Sequence, residues 1–246
     1  MKKVAIVTGG ANGIGKGIVE KLIYENFFVV IIDIDEELGF ELERQNNSTK
    51  TVCKFIKTDV SNPEHIKNAV ELTKKIGKIE VLINNAGYSK DDPIEKISIE
   101  DWDNLLNVHL RSSFLFIQEV VPVMKQNTYG RIINISSISA LGDSERASYC
   151  AAKAGMHGLI KSVACELGSY GITANVIAPG LIVTNMTKKS AARKKISLEE
   201  YIENAAKTIT VNRVGYPKDI ANAVSFFADK NSGFITGQIL YITGNP

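Results

Sequence analysis

The stretch Val4-Ala-Ile-Val-Thr8-Gly-Gly-Ala-Asn-Gly-Ile-Gly15 decides the fold. Its β-branched start reads as a buried strand, and the strand runs directly into glycines at 9, 13 and 15. Glycines in that turn let the backbone bend tightly and come close to a pyrophosphate. A helix beginning near Gly13 then aims its free N–H groups at that anion, with Asn12 and Ile14 in the same turn. A glycine-rich turn alone is a weak signal. One that leaves a strand, opens a helix and begins a βαβ pattern reads as a dinucleotide site.

Outward from that turn, β-branched runs alternate with longer amphipathic ones. Phe27–Asp33, Val52–Asp59, Glu80–Asn84, Arg131–Ser136, Thr173–Ala178 and Gln238–Ile242 read as strands. Helices are expected over Glu36 to about Gln45, from a capping box at Ser61-Asn-Pro-Glu64 to about Ile76, and from a cap at Ser98 to about Gln126. Two more run from Ser148 to about Tyr170 and from Pro217. Strands apolar on both faces and separated by helices indicate a parallel sheet covered on both sides. The expected class is α/β, a single doubly wound Rossmann-type domain over residues 1–246. Leu181–Asn212 carries no obvious strand, and an insertion of that length is expected to be a substrate-binding loop or lid.

The bulk numbers exclude several classes. The chain has 246 residues, 44% hydrophobic and 23% charged, with a net charge of +2, so no strong field points to nucleic acid. No apolar run approaches a signal peptide or a membrane span, and no membrane partner is expected. Cys53, Cys150 and Cys165 are few and irregularly spaced, which suits reduced thiols in the cytoplasm. His65, His109 and His157 are scattered without metal-like spacing, so no metal is expected, and His109 and His157 read as core or interface residues.

Two local patterns carry chemistry. Asp33 ends the second strand about 20 residues past the glycines, where an acid accepts hydrogen bonds from the adenosine ribose hydroxyls and repels a 2′-phosphate. The residues after it, Ile34-Asp35-Glu36-Glu37, supply no cation, which favours NAD over NADP. In Tyr149-Cys-Ala-Ala-Lys153 a phenol and an amine lie four residues apart, on one face of a helix. Cys150 lies about 100° around that helix from Tyr149 and reads as a packed thiol.

Together with Asn84-Asn-Ala-Gly87, a serine closing the fifth strand, Pro179-Gly180 and Arg213-Val-Gly-Tyr-Pro-Lys-Asp-Ile-Ala221, these motifs resemble the short-chain dehydrogenase/reductase family over essentially the whole chain. The resemblance implies a seven-stranded parallel sheet, a nicotinamide cofactor and a homotetramer or homodimer. It implies a catalytic set of Asn107, Ser137, Tyr149 and Lys153, with Asn107 as the family's helix-bending asparagine. It places Asp59 and Val60 at the adenine, and Asn85, Ala86 and Gly87 beside the adenosine ribose. It places Ile182 and Thr184 at the nicotinamide carboxamide, just after Pro179 and Gly180. The spacing from Ser137 to Tyr149 is one residue shorter than the family's commonest, so Ser136 stays a second candidate on the opposite face of the strand.

The resemblance gives each group a part. Tyr149 is the general acid/base, and a nearby ammonium at Lys153 favours its phenolate and binds the nicotinamide ribose. Ser137 stabilises charge on the substrate oxygen, and Asn107 holds a water that continues a proton relay beyond Lys153. The expected function is NAD-dependent hydride transfer between nicotinamide and a small-molecule secondary alcohol or ketone. Alternatives are an NADPH-preferring 3-oxoacyl-type reductase, a non-catalytic NAD-binding regulatory protein, or a sugar-nucleotide epimerase or dehydratase on a related fold. Family members acting on acyl carrier protein often carry an Arg before Gly-Ile-Thr, where this chain has Tyr170. The basic run Lys188, Lys189, Arg193, Lys194, Lys195 reads first as a solvated helix face and second as an anion site.

Overall fold

The computed structural model describes residues 1–246. Its strands are β1 (Lys3–Thr8), β2 (Phe28–Asp33), β3 (Cys53–Lys57), β4 (Lys78–Asn84), β5 (Gly130–Ile135), β6 (Ile172–Pro179) and β7 (Ile239–Ile242). Its helices are α1 (Gly13–Tyr24), α2 (Glu36–Asn46), α3 (Pro63–Ile76), α4 (Ile99–Leu106), α5 (Ser112–Gln126), α6 (Ala147–Leu167), α7 (Asn185–Arg193), α8 (Leu198–Ala206) and α9 (Pro217–Ala228). The seven strands form one sheet in the order β3-β2-β1-β4-β5-β6-β7. Every pairing in it is parallel.

Strand alternation splits the core in two. Val4 and Ile6 of β1, with Val30, Leu82 and Ile132 on neighbouring strands, face Ile66 of α3, Phe116 of α5 and Ile160 of α6. Ala5 and Val7, with Val29, Ile31, Val81 and Ile133, face Ile18 of α1, Leu42 of α2 and Val224 of α9. Both faces are therefore dry, which is why these strands lack a polar side and read as continuous apolar runs. The strand order reverses between β1 and β4, and the crevice at the carboxyl ends of those strands is where an open α/β sheet takes its ligand.

Two local expectations shift. The cap of α3 is Asn62, whose Oδ1 accepts from the Glu64 amide at 2.9 Å, while Ser61 turns back to donate to Asp59 at 2.7 Å. Ser98 caps α4 as expected, accepting from the Asp101 amide at 3.0 Å. The long helix beyond it contains a π-turn at Asn107–Arg111, where the Ser112 amide reaches back to the Asn107 carbonyl. A π-turn adds a residue to one helical turn and rotates everything before it relative to everything after it. The 181–212 segment, expected as a loop, holds α7 and α8. No helix is long and apolar enough to cross a membrane.

Candidate active site

The carboxyl ends of β1, β2, β4, β5 and β6 open into a cavity of about 650 Å³. Its floor is the glycine turn. Gly9 has φ +61°, and a Cβ there would come within 2.8 Å of the Ala86 Cα, so only glycine lets the turn approach β4 this closely. Thr8 Oγ1 accepts from the amides of Asn85 and Ala86 at 2.9 and 3.0 Å, and Asn85 Nδ2 donates to the carbonyls of Thr8 and Gly9 at 3.0 Å. Asn12 caps α1, taking the Gly13 amide at 2.7 Å, and leaves the Ile14 amide on the cavity side without an intrahelical partner. Asn12, Gly13 and Ile14 line it. Gly15 does not: a Cβ there would lie 1.9 Å from the Gly9 carbonyl oxygen, so its part is to let α1 start against the turn.

The far wall comes from β2 and β3. Asp33 lines the cavity, with one carboxylate oxygen accepting from the Ala11 amide at 3.0 Å and the other from the Asp35 amide at 3.1 Å. Lys57, its partner across the β2–β3 ladder, turns its ammonium to Glu36 at 2.7 Å. Asp59 and Val60 sit beside it, and Asn85, Ala86 and Gly87 line the middle. Pro179, Gly180, Ile182 and Thr184 close the β6 side. The Thr184 methyl would lie 3.4 Å from a Cβ at Gly13, so the base of the α7–α8 segment arches over the glycine turn. This cradle fits a dinucleotide: glycines where a backbone must approach a phosphate, free helix amides facing it and a carboxylate at the ribose end.

Tyr149 and Lys153, one turn apart on α6, are 8% and 4% exposed. The Lys153 ammonium donates to the Ile135 carbonyl at 2.7 Å and stands 5.6 Å from the Tyr149 ring centroid. Burial pushes Lys153 down to about 7. Burial also raises the Tyr149 phenol, and the Ser137 hydroxyl and the Arg146 guanidinium offset part of that rise. A second cation, Arg146, also flanks the phenol, with its Cζ 6.0 Å from the ring centroid. Ser137 faces the phenol, whereas Ser136 is spent on α6, donating to the Lys153 carbonyl at 3.1 Å with His157 Nε2 at 2.8 Å. Of the two serines, the geometry brings Ser137 to Tyr149.

Asn107 is not brought there. It lines a separate outer groove with Leu106, Leu110 and Phe114. His109, two residues on, lines the cavity instead, 2% exposed and edge-on to Tyr149 with centroids 5.3 Å apart. Tyr88, Arg146, Met186 and Tyr201 also line the cavity and went unrecognised in the sequence. Arg146 directly precedes α6, which could have drawn notice; the other three had no local signal. Cys150 turns to the Asp143 carbonyl, and burial raises its thiol, so it is not a primed nucleophile.

The family model described as enoyl-(acyl carrier protein) reductase matches residues 9–244. This chain belongs to the short-chain dehydrogenase/reductase family. It is 38% identical to a 3-oxoacyl-[acyl-carrier-protein] reductase FabG of Rickettsia bellii, over 98% of this chain and 95% of that protein. It is 36% identical to the (2S)-[(R)-hydroxy(phenyl)methyl]succinyl-CoA dehydrogenase subunit BbsD of Thauera aromatica, over 98% of this chain and 95% of that one. Among solved structures, one described as a gluconate dehydrogenase from Agrobacterium tumefaciens superimposes with a TM-score of 0.91 at 26% identity, over 98% of this chain and 94% of the other. The chain is therefore an oxidoreductase of this family, and a nicotinamide cofactor is the family's reactant.

Proposed function

We propose that this chain is an NAD(H)-dependent oxidoreductase acting on a secondary alcohol or its ketone, with Tyr149 as general acid/base. The carrying observation is Asp33: a carboxylate pinned by the Ala11 and Asp35 amides at the ribose end of the cavity, with its strand neighbour Lys57 neutralised by Glu36. A 2′-phosphate placed there would meet uncompensated negative charge. The bound nicotinamide accepts or supplies the hydride. Gly9, Gly13 and Ile14 hold the pyrophosphate, Asp33 the adenosine ribose, and Ile182 and Thr184 the carboxamide. Tyr149 takes the hydroxyl proton in oxidation and returns it in reduction. Ser137 donates to the substrate oxygen, where charge develops. Lys153 donates to the nicotinamide ribose.

The relatives' names favour an oxygen on an acyl thioester chain, so 3-oxoacyl and 3-hydroxyacyl thioesters are the first substrates to screen. Those same names favour the second reading, an NADPH-preferring 3-oxoacyl-type reductase. Titration calorimetry of NAD(H) against NADP(H), on this protein and on Asp33→Ala, separates the two. Preference for NAD(H) that Asp33→Ala erodes supports the first. Preference for NADP(H) in the unsubstituted protein overturns it, and binding of neither points to a protein without this chemistry. A homotetramer in the cytoplasm completes the proposal, and light scattering on the purified chain tests the assembly.

A further inference from the structure

The dehydrogenase reading uses one of the two cations beside Tyr149 and leaves the other idle. Apart from the carboxylates of Asp33, Asp35 and Asp59 at the adenosine end, Lys153 and Arg146 are the only charged side chains that line the cavity. Lys153 is committed to the Ile135 carbonyl at 2.7 Å. Arg146, its side chain 22% exposed, has its Cζ 6.0 Å from the Tyr149 ring centroid. Nη2 donates to Asp91 Oδ2 at 3.0 Å, with Nε 3.0 Å from Oδ1, and Nη1 donates to Asp143 Oδ2 at 3.0 Å. The two terminal nitrogens carry four N–H groups and spend one each on these carboxylates, so each keeps one.

The guanidinium is fixed from several sides. The Arg146 carbonyl accepts from the Cys150 amide at 2.8 Å as α6 begins, and the Glu145 carbonyl just before it accepts from the Asp92 amide at 2.8 Å. Asp143 is itself held by the Ser139 hydroxyl at 3.0 Å, and Asp91 by Ser89 and Arg193. The charges then decide what the spare donors suit. Asp91 and Asp143 bring two negative charges to a cluster in which Arg146 and Arg193 bring two positive ones, so the sum is zero. A substrate carboxylate would lose its hydration there and meet both aspartates at close range without a net attraction. A neutral oxygen gives up less hydration and still takes a charge-assisted hydrogen bond. Tyr88, Leu181, Met186 and Tyr201, which line the cavity outside the dinucleotide cradle, add no charge.

We infer that Arg146 sets substrate choice: it donates to a neutral carbonyl beside the one that reacts, so that esters and thioesters of 3-oxo acids are taken and the free carboxylates are refused. This rests on the dehydrogenase reading above. In reduction the reacting carbonyl takes the hydride of the nicotinamide at carbon and the Tyr149 proton at oxygen. Arg146 holds the second carbonyl throughout and exchanges no proton. Asp143 is as much a part of the selection as Arg146, because its charge is what makes the cluster neutral.

Three ketones test it. Ethyl acetoacetate has the second, neutral carbonyl, acetoacetate has a carboxylate in its place, and butan-2-one has neither. They are assayed with NADH, and folding is checked by thermal melts. Unsubstituted protein should favour ethyl acetoacetate over acetoacetate about tenfold or more in kcat/KM. Arg146→Met should lower the ratio of ethyl acetoacetate to butan-2-one about tenfold or more, a ratio in which any effect on Tyr149 itself cancels. Asp143→Asn keeps the shape and uncovers a positive charge, so it should raise the ratio of acetoacetate to ethyl acetoacetate about fivefold or more. An arginine with a structural part alone would move neither ratio. Preference for acetoacetate in the unsubstituted protein would make Arg146 a carboxylate clamp and overturn the inference. So would either variant leaving its ratio within about twofold of the unsubstituted value. Saturation-transfer NMR reads the same order without turnover, with ethyl acetoacetate and acetoacetate competing for the protein with and without NAD. No turnover of any ketone, with that binding order intact, counts against the dehydrogenase reading alone, whereas equal binding of the two overturns the part given to Arg146.

Discussion

Arg193 of α7 reaches the Asp91 carboxylate at 2.6 Å, and Asp91 is the same carboxylate that grips Arg146 at the start of α6. Burial alone would raise the Asp91 carboxyl, but Ser89, Arg146 and Arg193 hold it below its ordinary value. One nearly buried anion thus ties the covering segment to the residue beside Tyr149. Arg193 is 51% exposed, so the contact is worth about 1 kcal/mol at most. Arg193→Ala should therefore speed NADH dissociation by up to about fivefold in stopped-flow fluorescence. Its urea midpoint should stay put. An unchanged off-rate would mean that the segment is held by its base, where Ile182 bridges Gly215, and not by the ion pair.

Lys153 carries a pH signature. Its ammonium is held down to about 7 in the fold by burial and rises to about 10.4 when the chain unfolds. Between those values the unfolded chain binds more protons, so stability rises with pH across that window and is flat below it. The comparison is with Lys153→Met, which lacks this titration and loses the bond to the Ile135 carbonyl at every pH. Urea melts at pH 6.5, 8 and 9.5 should show unsubstituted protein gaining on the variant by up to about 1.4 kcal/mol per unit above pH 7. Parallel curves would place the ammonium in contact with water.

Gly87 and His109 should be coupled. Gly87→Ala drives a methyl to within 2.0 Å of Cε1, overpacking worth about 1–3 kcal/mol. His109→Ala makes room for that methyl, so the double variant should be more stable than the two single losses added together. A double-mutant cycle in urea is expected to give about 1–2 kcal/mol of coupling. Additive losses would mean that the turn after β4 shifts to absorb the methyl.

The glycine turn, Asp33 and the Tyr149–Lys153 pair were legible because each depends on spacing within a few residues of one element. The sheet was legible for the same reason, since Val4 and Ile6 of β1 fill one face and Ala5 and Val7 the other. What was not legible depended on helix phase or on distant partners. Asn107 and His109 are about 200° apart on a regular helix, so only one can face the cavity. The π-turn and its packing, with α4, against α6 choose His109, and nothing local announces that choice. Gly15 belongs to the motif yet lies behind the turn, because a motif marks a backbone path and not which of its atoms meet the ligand. The Asp91 cluster joins three segments far apart in the chain, so no periodicity marks it.

Arg131 tests how the sheet is anchored at the end of β5 away from Ser137. It is 2% exposed, and carbonyls alone satisfy it: Asp229 at 3.2 Å, Lys230 at 3.1 Å, Gly130 at 3.0 Å and Gly171 at 3.3 Å. The first two lie just past the end of α9, where the helix dipole is negative and compensates a buried cation without a carboxylate. Its Cζ also rests 4.4 Å from the Tyr129 ring centroid. Arg131→Met keeps the volume but strands those carbonyls, an expected loss of about 3 kcal/mol and a melting point lower by about 10 °C. Arg131→Lys restores a point charge without the fork and should recover less than half. Turnover per folded molecule should not change, because α6 and the cavity stand at the other end of the strand. If Arg131→Met melts within a degree or two of the unsubstituted protein, α9 is held by its apolar contacts through Ile220 and Val224 alone.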